Sequence, residues 1–309
     1  MQKLATTELA NLLEKDALRF AEPMSLHTSF QIGGPADIYT LPSSQAELMQ
    51  ILKFCYTHAI PWMIVGRGSN LLVSDKGIRG MVIATDLYNK ISIDENYVSA
   101  FCGASLEDLC NFCMVNGVAG LEFASGIPGS VGGAVFMNAG AYGGEIKDVL
   151  YCSKALNPTL EGLNAANPIL HIKYDEHQFG YRHSSFQDNG FIHLSSVFKL
   201  SYDDKDHIAQ RMQDLHEERW CKQPMELPSG GSIFKRPPGH FTGKLIDDCG
   251  MRGYQLGGAR ISDKHCGFIV NAGGATAADV MALIKHAQDE VKRRYDVDLQ
   301  TEIRKVGDW

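Results

Sequence analysis

Two hydrophobic periods alternate along the chain, one typical of helices and the other of strands. The clearest helical stripe lies in residues 276–294, where Thr276 and Asp279 also form a predicted capping box. The same spacing predicts helices at 44–59, 105–116 and 203–220. Ser44 and Glu47 predict a second capping box at the start of the helix 44–59. Short apolar runs predict strands at 62–65, 71–73, 81–84, 97–101, 149–156, 192–200 and 268–270. Because helices and strands are interleaved, the pattern favours an α/β or α+β fold in more than one unit.

A glycine loop follows the predicted strand 62–65 and reads Gly66, Arg67, Gly68, Ser69, Asn70. Glycines let successive backbone N–H groups point at one anion, usually a phosphate. Position 71 is Leu, so the third glycine of a Rossmann fingerprint is missing, and no P-loop lysine follows. A simple tight turn is the alternative interpretation.

A second glycine-rich segment spans residues 125–143 and reads S-G-I-P-G-S-V-G-G-A-V-F-M-N-A-G-A-Y-G. Small residues allow a close approach of the backbone to a flat or charged ligand, although a buried glycine-rich hairpin would have the same composition. The uncharged run 123–144 is long enough to span a membrane. Its seven glycines, with Pro128 and Asn138, favour a folded loop instead.

Charge excludes some classes of function. The chain of 309 residues has 29 Lys and Arg against 36 Asp and Glu, a net charge of −7, which argues against sequence-independent nucleic-acid binding. Charged residues throughout 1–20 leave no apolar signal-peptide core, so we expect a cytoplasmic protein without membrane insertion.

The eight cysteines are expected to be free thiols in a reducing compartment. Cys110 and Cys113 form the one C-x-x-C pair, and no second pair stands at zinc-site spacing. Both fall on the apolar stripe of helix 105–116, which favours core packing over redox or metal chemistry. No metal site is expected, because the histidine spacings are too loose for one helix face.

The two glycine segments together resemble the UDP-N-acetylenolpyruvoylglucosamine reductase family. Five further segments agree, in order along the chain: H-T-S-F-Q-I-G-G-P-A at 27–36, F-G-Y-R at 179–182, P-S-G-G-S-I-F-K at 228–235, S-D-K-H-C-G-F-I-V-N at 262–271 and L-Q-T-E-I-R at 299–304. The resemblance therefore covers residues 24–307. It implies the shorter class of this family, which lacks a tyrosine-bearing insertion over the substrate.

The resemblance also implies an α+β fold with a two-part FAD-binding region of the vanillyl-alcohol-oxidase type and a separate α+β substrate domain. We expect the first FAD-binding part at 1–84, with 303–309 returning to it, the second at 85–202 and the substrate domain at 203–302. The implied reaction reduces UDP-N-acetylglucosamine enolpyruvate to UDP-N-acetylmuramate, a step of peptidoglycan precursor synthesis. NADPH is the implied co-substrate and FAD the non-covalent cofactor.

Three catalytic residues follow from the resemblance. Ser232 matches the proton donor, while Arg182 and Glu302 match the pair that stabilises an enolate-like charge. Taken alone, Ser232 reads as a turn residue, Arg182 as part of a surface ion pair and Glu302 as a solvated strand residue. The implied substrate-binding residues are Tyr181, Lys222, Arg236 and His265. At position 236 the family more often has Asn instead of Arg. At positions 230 and 231 it usually has Ala-Gly, where this chain has Gly-Gly.

The implied cofactor-binding residues come from both glycine segments and from the opening motif. They are Thr28, Gly66, Arg67, Gly68, Ser69, Asn70, Gly126, Ile127, Pro128, Gly129, Gly132, Gly133 and Ala141. Two alternatives remain open at this point. One is an FAD-dependent oxidoreductase of the same fold acting on another substrate, and the other is a nucleotide-binding module without turnover. No obligatory protein partner is expected.

Overall fold

The computed structural model describes residues 8, 9, 13 and 17–309. The predicted absence of a signal peptide concerns residues 1–20 and lies mostly outside this part of the chain. The α-helices of the described residues are α1 (Gln45–Thr57), α2 (Leu106–Val115), α3 (Val131–Met137), α4 (Leu160–Asn164), α5 (Lys205–Lys222), α6 (Thr242–Asp248) and α7 (Ala277–Tyr295).

The strands of the described residues are β1 (Leu18–Pro23), β2 (Pro35–Thr40), β3 (Trp62–Val65), β4 (Leu71–Val73), β5 (Ile78–Ala84), β6 (Ile91–Asp94), β7 (Tyr97–Phe101), β8 (Val118–Ala119), β9 (Gly140–Ala141), β10 (Gly144–Glu145), β11 (Leu150–Leu156), β12 (Ile169–Lys173), β13 (Ile192–Lys199), β14 (Ser201–Tyr202), β15 (Ser229–Ser232), β16 (Gln255–Leu256), β17 (Ala259–Ile261), β18 (Phe268–Asn271) and β19 (Arg304–Val306).

The chain divides into two compact units. The first comprises Met1–Phe20, Ile38–Arg67 and Gly80–Glu217, and the second comprises Ala21–Asp37, Gly68–Arg79 and Glu218–Trp309. The three-part division expected from the resemblance, at 1–84, 85–202 and 203–302, stays a prediction.

The first unit contains an antiparallel five-stranded sheet with the order β12-β11-β13-β7-β6. One core cluster joins side chains of this sheet to the apolar faces of α2 and α3, with Val98, Phe198 and Leu106 fully buried. In another sheet β3 pairs in parallel with β5, and Trp62 lies opposite Met81. This pairing places the first glycine loop at the carboxyl end of a parallel strand.

The second unit contains an antiparallel four-stranded sheet with the order β15-β18-β17-β16, and β19 pairs in parallel with β4. Helix α7 contributes the stripe that its sequence predicts: Val280, Leu283, Ile284, Ala287 and Val291 are buried in the core of this unit. The capping box of Thr276 and Asp279 is present as well.

Several predicted bounds differ from the structure. The strand expected at 81–84 begins at Ile78, and the helix expected at 203–220 runs from Lys205 to Lys222. At the start of α1, Ser44 accepts from the Glu47 N–H, but the Glu47 carboxylate bonds Ser43 instead of closing a capping box. The reason is that Ser43 offers it both a backbone N–H and a hydroxyl.

The glycine-rich segment 125–143 was expected to be a loop, and this expectation was wrong for its centre, which forms α3. The Ser130 hydroxyl caps this helix by accepting from the Gly133 N–H, and Val131, Ala134 and Val135 bury its apolar face. Among the described residues, no helix combines the length and the apolar character needed to cross a membrane.

Candidate active site

The first glycine loop starts in the first unit with Gly66 and Arg67. A Cβ added to Gly66 would lie 2.2 Å from Ser130 Oγ, the hydroxyl that caps α3. Position 66 therefore needs glycine so that the end of β3 can approach the start of α3. This contact joins the two glycine segments within one unit.

The loop continues in the second unit with Gly68, Ser69 and Asn70. Gly68 has a φ of +62°, and an added Cβ would lie 2.0 Å from the carbonyl oxygen of His27. Asn70 donates from Nδ2 to the Glu302 carbonyl at 3.2 Å, and its own carbonyl accepts from the Arg304 N–H at 3.0 Å. The Asn70 side chain thus holds the segment that carries Glu302.

The backbone donors of this loop fit an anionic ligand. In the described part of the chain, no acceptor is found for the N–H groups of Gly66 and Arg67 in the first unit. The same holds, within residues 17–309, for the N–H groups of Gly68, Ser69 and Asn70 in the second unit. Successive unpaired N–H groups after a strand are the donors that a bound phosphate requires.

The second glycine segment is fixed by backbone hydrogen bonds. The Gly129 carbonyl accepts from the Leu106 N–H at 3.0 Å, and the Gly132 N–H donates to the Cys102 carbonyl at 2.9 Å. A Cβ added to Gly132 would lie 3.0 Å from Cys102 Cβ, so this position is closely packed. Gly126, Ile127 and Pro128 precede helix α3, and Pro128 is exposed.

Beyond α3, Ala141 lies in a hairpin between β9 and β10. The two turn residues, Tyr142 and Gly143, have φ angles of +51° and +86°, as expected for a type I′ turn. Thr28, the remaining predicted cofactor residue, is buried and donates its hydroxyl to the Ile32 carbonyl at 3.0 Å. Its hydroxyl proton is therefore used in holding its own turn.

Arg182 and Tyr181 lie together in the first unit, at the centre of a tight turn. The His183 N–H donates to the Gly180 carbonyl at 3.3 Å, and the Arg182 φ is +55°, the sign that a type II turn requires at this position. Such a position favours glycine or asparagine, so an arginine there is strained. The guanidinium lies 5.1 Å from the centre of the Tyr181 ring and donates to the Gly140 carbonyl at 3.2 Å.

Ser232 and Glu302 lie on neighbouring segments of the second unit. Ser232 ends β15 opposite Phe268, and the next residue, Ile233, accepts from the Glu302 N–H at 2.8 Å. The preceding Gly231 has a φ of +75° and lies in an irregular stretch of β15. Ser232 is exposed, and within residues 17–309 no hydrogen-bond partner is found for its hydroxyl. Backbone pairing therefore places these two residues on adjacent segments.

The other predicted substrate-binding residues of the second unit have separate surroundings. Lys222 pairs with Glu218 at 2.5 Å on the exposed end of α5. The Arg236 guanidinium stacks 4.2 Å from the centre of the Phe241 ring. His265 Nδ1 accepts from the Gly267 N–H at 3.0 Å, and burial lowers the pKa of this imidazole. His265 is therefore a neutral group with a fixed ring orientation.

Two side chains that support Arg182 were missed by sequence reasoning. Gln187 donates from Nε2 to the Arg182 carbonyl at 3.0 Å and to the Phe136 carbonyl at 2.8 Å. Asn138, fully buried after α3 with a φ of +43°, donates to the Gly180 carbonyl at 2.9 Å. An Asn directly after a helix is a common left-handed cap, but this signal at Asn138 depends on helix α3, which the sequence did not predict, and Gln187 carried none.

The cysteine pair has the packing role that its helical stripe predicts. Cys110 and Cys113 are buried on α2, and Cys110 Sγ lies 3.2 Å from the Leu121 carbonyl. Burial raises the pKa of the Cys113 thiol to about 12 and raises that of Cys110 as well. Neither thiol is ionised at neutral pH, so nucleophilic chemistry is disfavoured.

Two family profiles match the chain. Residues 36–159 match the profile described as FAD binding domain, and residues 223–306 match the C-terminal domain of UDP-N-acetylenolpyruvoylglucosamine reductase. Together with the mixed helices and strands, these matches confirm the predicted α+β fold class with an FAD-binding region and a second domain.

Curated relatives and a solved structure agree along the whole chain. The UDP-N-acetylenolpyruvoylglucosamine reductase of Caldanaerobacter subterraneus subsp. tengcongensis is 43% identical over 308 residues, covering 100% of both chains. That of Listeria welshimeri is 45% identical over 292 residues, covering 94% of this chain and 96% of the relative. The crystal structure of the Thermus caldophilus reductase is 32% identical, with a TM-score of 0.77, and covers 92% of this chain and 97% of its own.

Proposed function

The chain belongs to the UDP-N-acetylenolpyruvoylglucosamine reductase family, and from this premise we propose that it reduces UDP-N-acetylglucosamine enolpyruvate to UDP-N-acetylmuramate with NADPH. Its cofactor is FAD, which supplies the hydride carrier between NADPH and the enolpyruvyl group when bound. The product is a precursor of peptidoglycan.

The glycine segments hold the cofactor in this proposal. We assign the pyrophosphate to the backbone N–H groups of residues 66–70, for which no acceptor is found within residues 17–309. No lysine is required, because backbone donors can compensate the charge of phosphate oxygens. The remaining contacts come from Gly126, Ile127, Pro128, Gly129, Gly132, Gly133 and Ala141. Thr28 supports the loop indirectly, because its hydroxyl bonds the Ile32 carbonyl.

Three side chains carry the chemistry on the substrate. Ser232 donates the proton that completes the reduction, since its exposed hydroxyl is not engaged by another described residue. Arg182 and Glu302 stabilise the enolate-like charge that builds up on the pyruvate group. A guanidinium suits this role because it forms two parallel hydrogen bonds with a carboxylate.

Binding of the sugar nucleotide involves the remaining predicted residues, Tyr181, Lys222, Arg236 and His265. Arg236 stands where the family more often has Asn, and its planar guanidinium can donate hydrogen bonds to two oxygens of a diphosphate. The proposed location is the cytoplasm. All eight cysteines lie in the described part of the chain and are free thiols, as a reducing compartment maintains them.

One observation carries the mechanistic part of this proposal: the Glu302 N–H donates to the Ile233 carbonyl at 2.8 Å. This bond fixes Glu302 beside the strand end that presents Ser232. The proton donor and one charge-stabilising residue thus stand on paired backbone segments, an arrangement that favours preorganised chemistry over nucleotide binding alone.

The test is a coupled assay on the purified protein loaded with FAD. We expect NADPH oxidation that depends on UDP-N-acetylglucosamine enolpyruvate, and a product heavier than the substrate by two hydrogen atoms in mass spectrometry. NADPH oxidation with that substrate absent but another alkene present would identify an FAD-dependent oxidoreductase with a different substrate. Protein that takes up no FAD would exclude both enzymes.

A further inference from the structure

The turn that presents Arg182 is attached to the helix of the second glycine segment by one buried side chain. Asn138 is the C-terminal cap of α3, fully buried and with a left-handed φ of +43°. Its Nδ2 donates to the Gly180 carbonyl at 2.9 Å, which is also the acceptor that closes the turn around Arg182. The amide therefore fixes the first residue of the Gly180–His183 turn.

The same amide also fixes the hairpin that the arginine contacts. Asn138 Nδ2 donates to Glu145 Oε2 at 2.8 Å, and Oδ1 accepts from the Lys147 N–H at 3.0 Å. Glu145 pairs with Gly140 across the β9–β10 hairpin, and the Gly140 carbonyl accepts from Arg182 at 3.2 Å. One side chain thus bonds both the turn that bears Arg182 and the hairpin that receives its guanidinium.

The charge around this amide depends on the Asn138 donors. Lys147 pairs with Glu145 at 2.8 Å, and this contact, the Asn138 hydrogen bond and the nearby Arg182 lower the pKa of the Glu145 carboxyl. Glu145 is therefore ionised, and it needs the donors that surround it. A carboxylate at position 138 would face it with like charge and without an N–H donor.

We propose that Asn138 is a positioning residue for Arg182: it sets the guanidinium through the Gly180 carbonyl and the β9–β10 hairpin, and thereby couples the cofactor-binding helix α3 to substrate reduction. The inference rests on the proposed function of Arg182. It goes further by assigning a role to a residue outside the catalytic, substrate-binding and cofactor-binding residues predicted from the sequence.

Two substitutions separate the amide from the backbone conformation. Asn138→Gly keeps the left-handed φ without steric strain and removes all three hydrogen bonds. Asn138→Asp keeps the shape and the acceptor but replaces the donor by a carboxylate beside Glu145. Asn116→Gly is the matched control, because Asn116 caps the C-terminus of α2 in the same unit and its amide bonds only the Phe112 carbonyl among the described residues.

The experiment measures the two half-reactions separately by anaerobic stopped-flow absorbance of FAD-loaded protein. For Asn138→Gly we expect flavin reduction by NADPH and FAD content close to wild type. We expect flavin reoxidation by UDP-N-acetylglucosamine enolpyruvate to slow by about 10- to 100-fold, the cost of displacing a reacting group by about 1 Å. The value of kcat should fall more than KM rises, and Asn138→Asp should be slower still.

A double-mutant cycle with Arg182→Lys provides the readout that a merely structural role would not change. If Asn138 acts through Arg182, the loss caused by Arg182→Lys is smaller in the Asn138→Gly background than in wild type. Additive losses, or an equal decrease of both half-reactions with loss of FAD, would overturn the inference. Wild-type protein that is not reoxidised by this substrate would instead overturn the proposed function, so the two failures are distinguishable.

Discussion

The turn around Arg182 and the pair of Ser232 and Glu302 are held in place by different kinds of contact. Side chains hold the first: Asn138 bonds the Gly180 carbonyl and Gln187 bonds the Arg182 carbonyl. Backbone bonds hold the second, through Ile233 and Glu302 and through the β15–β18 pairing. A region held by side chains is vulnerable to single substitutions nearby, whereas a region held by its backbone is vulnerable mainly at the functional groups themselves.

The largest effect is expected from Ser232→Ala in the backbone-held region. Removal of the hydroxyl leaves β15 intact, so flavin reduction by NADPH should persist, while reoxidation by the enolpyruvyl substrate should slow by about 10²- to 10⁴-fold, the usual contribution of a general acid. Single-turnover absorbance measures both steps. Ser229→Ala, at the other end of the same strand, is the control. Normal reoxidation by Ser232→Ala would remove this residue from the mechanism.

Glu302→Gln tests the second functional group of the backbone-held region. The Glu302 N–H, not its carboxylate, bonds Ile233, so the amide variant should keep its position and its FAD content. We expect turnover to fall by about 10- to 100-fold through loss of charge stabilisation. Steady-state kinetics and the flavin-to-protein absorbance ratio check this, with Asp298→Asn as control. A loss of flavin would show instead that Glu302 is structural.

A substitution at Gly230, in strand β15, tests how tightly the region around Ser232 and Glu302 is packed. A Cβ added to Gly230 would lie 2.4 Å from Ile303 Cδ1 and 2.9 Å from Phe30 Cδ2. We therefore expect Gly230→Ala to lower the free energy of unfolding by about 2 kcal/mol, the usual cost of overpacking. Ile303→Val removes the nearest methyl group, so the double variant should recover part of this loss in urea titrations. Unchanged stability of the single variant would contradict the packing argument.

A buried chain of hydrogen bonds supports the side-chain-held region. His177 stacks on Phe179 at 5.0 Å, and its Nε2 lies 2.8 Å from Ser153 Oγ. The chain continues to Ser196 Oγ at 2.7 Å and to His193 Nε2 at 2.7 Å. The Nδ1 of His177 faces the Lys173 carbonyl at 2.8 Å and carries the proton, so every hydrogen in the chain points from His193 toward His177.

This chain of hydrogen bonds predicts the smallest of the effects, a loss of protein stability in acid. Burial lowers the pKa of His193 to about 3, and His193 Nδ1 has no partner among the described residues. Below pH ~6.5 the unfolded protein therefore binds a proton at His193, whereas the folded protein does not bind it until the pH reaches ~3. The protein loses stability as the pH falls through this window. Between about pH 7 and pH 5, His193→Asn should lose about 1–2 kcal/mol less stability than wild type.

Urea titrations at the two pH values measure this difference. The exposed His171 provides the control, since His171→Asn should follow the wild-type dependence on pH. Equal acid sensitivity of wild type and His193→Asn would show that the buried chain does not resist protonation.

The sequence predicted the parts of the molecule where local pattern and packing agree. Helix α7 has a regular apolar stripe and a capping box, and both are present. Helix α3 was missed because Gly132 and Gly133 have low helix propensity, which the Ser130 cap and the buried Val131 and Val135 overcome. Local propensity could not reveal this, because the stabilising contacts come from elsewhere in the unit.

The candidate site likewise has parts that the sequence predicted and parts that it did not. The glycine segments and the segments around Ser232 and Glu302 could be found from motifs, because their residue types are fixed by chemistry. The left-handed φ of Arg182 could not, since arginine rarely adopts it and the bonds that stabilise it come from Asn138 and Gln187. Such support depends on tertiary contacts between residues more than 40 positions apart in the case of Asn138 and Gly180.

The proposed reaction is tested most simply by the anaerobic absorbance of the FAD-loaded wild-type protein during successive additions of NADPH and substrate. We predict that NADPH bleaches the flavin and that UDP-N-acetylglucosamine enolpyruvate then restores its colour, with one UDP-N-acetylmuramate formed per flavin. Bleaching by NADPH without restoration by this substrate would contradict it.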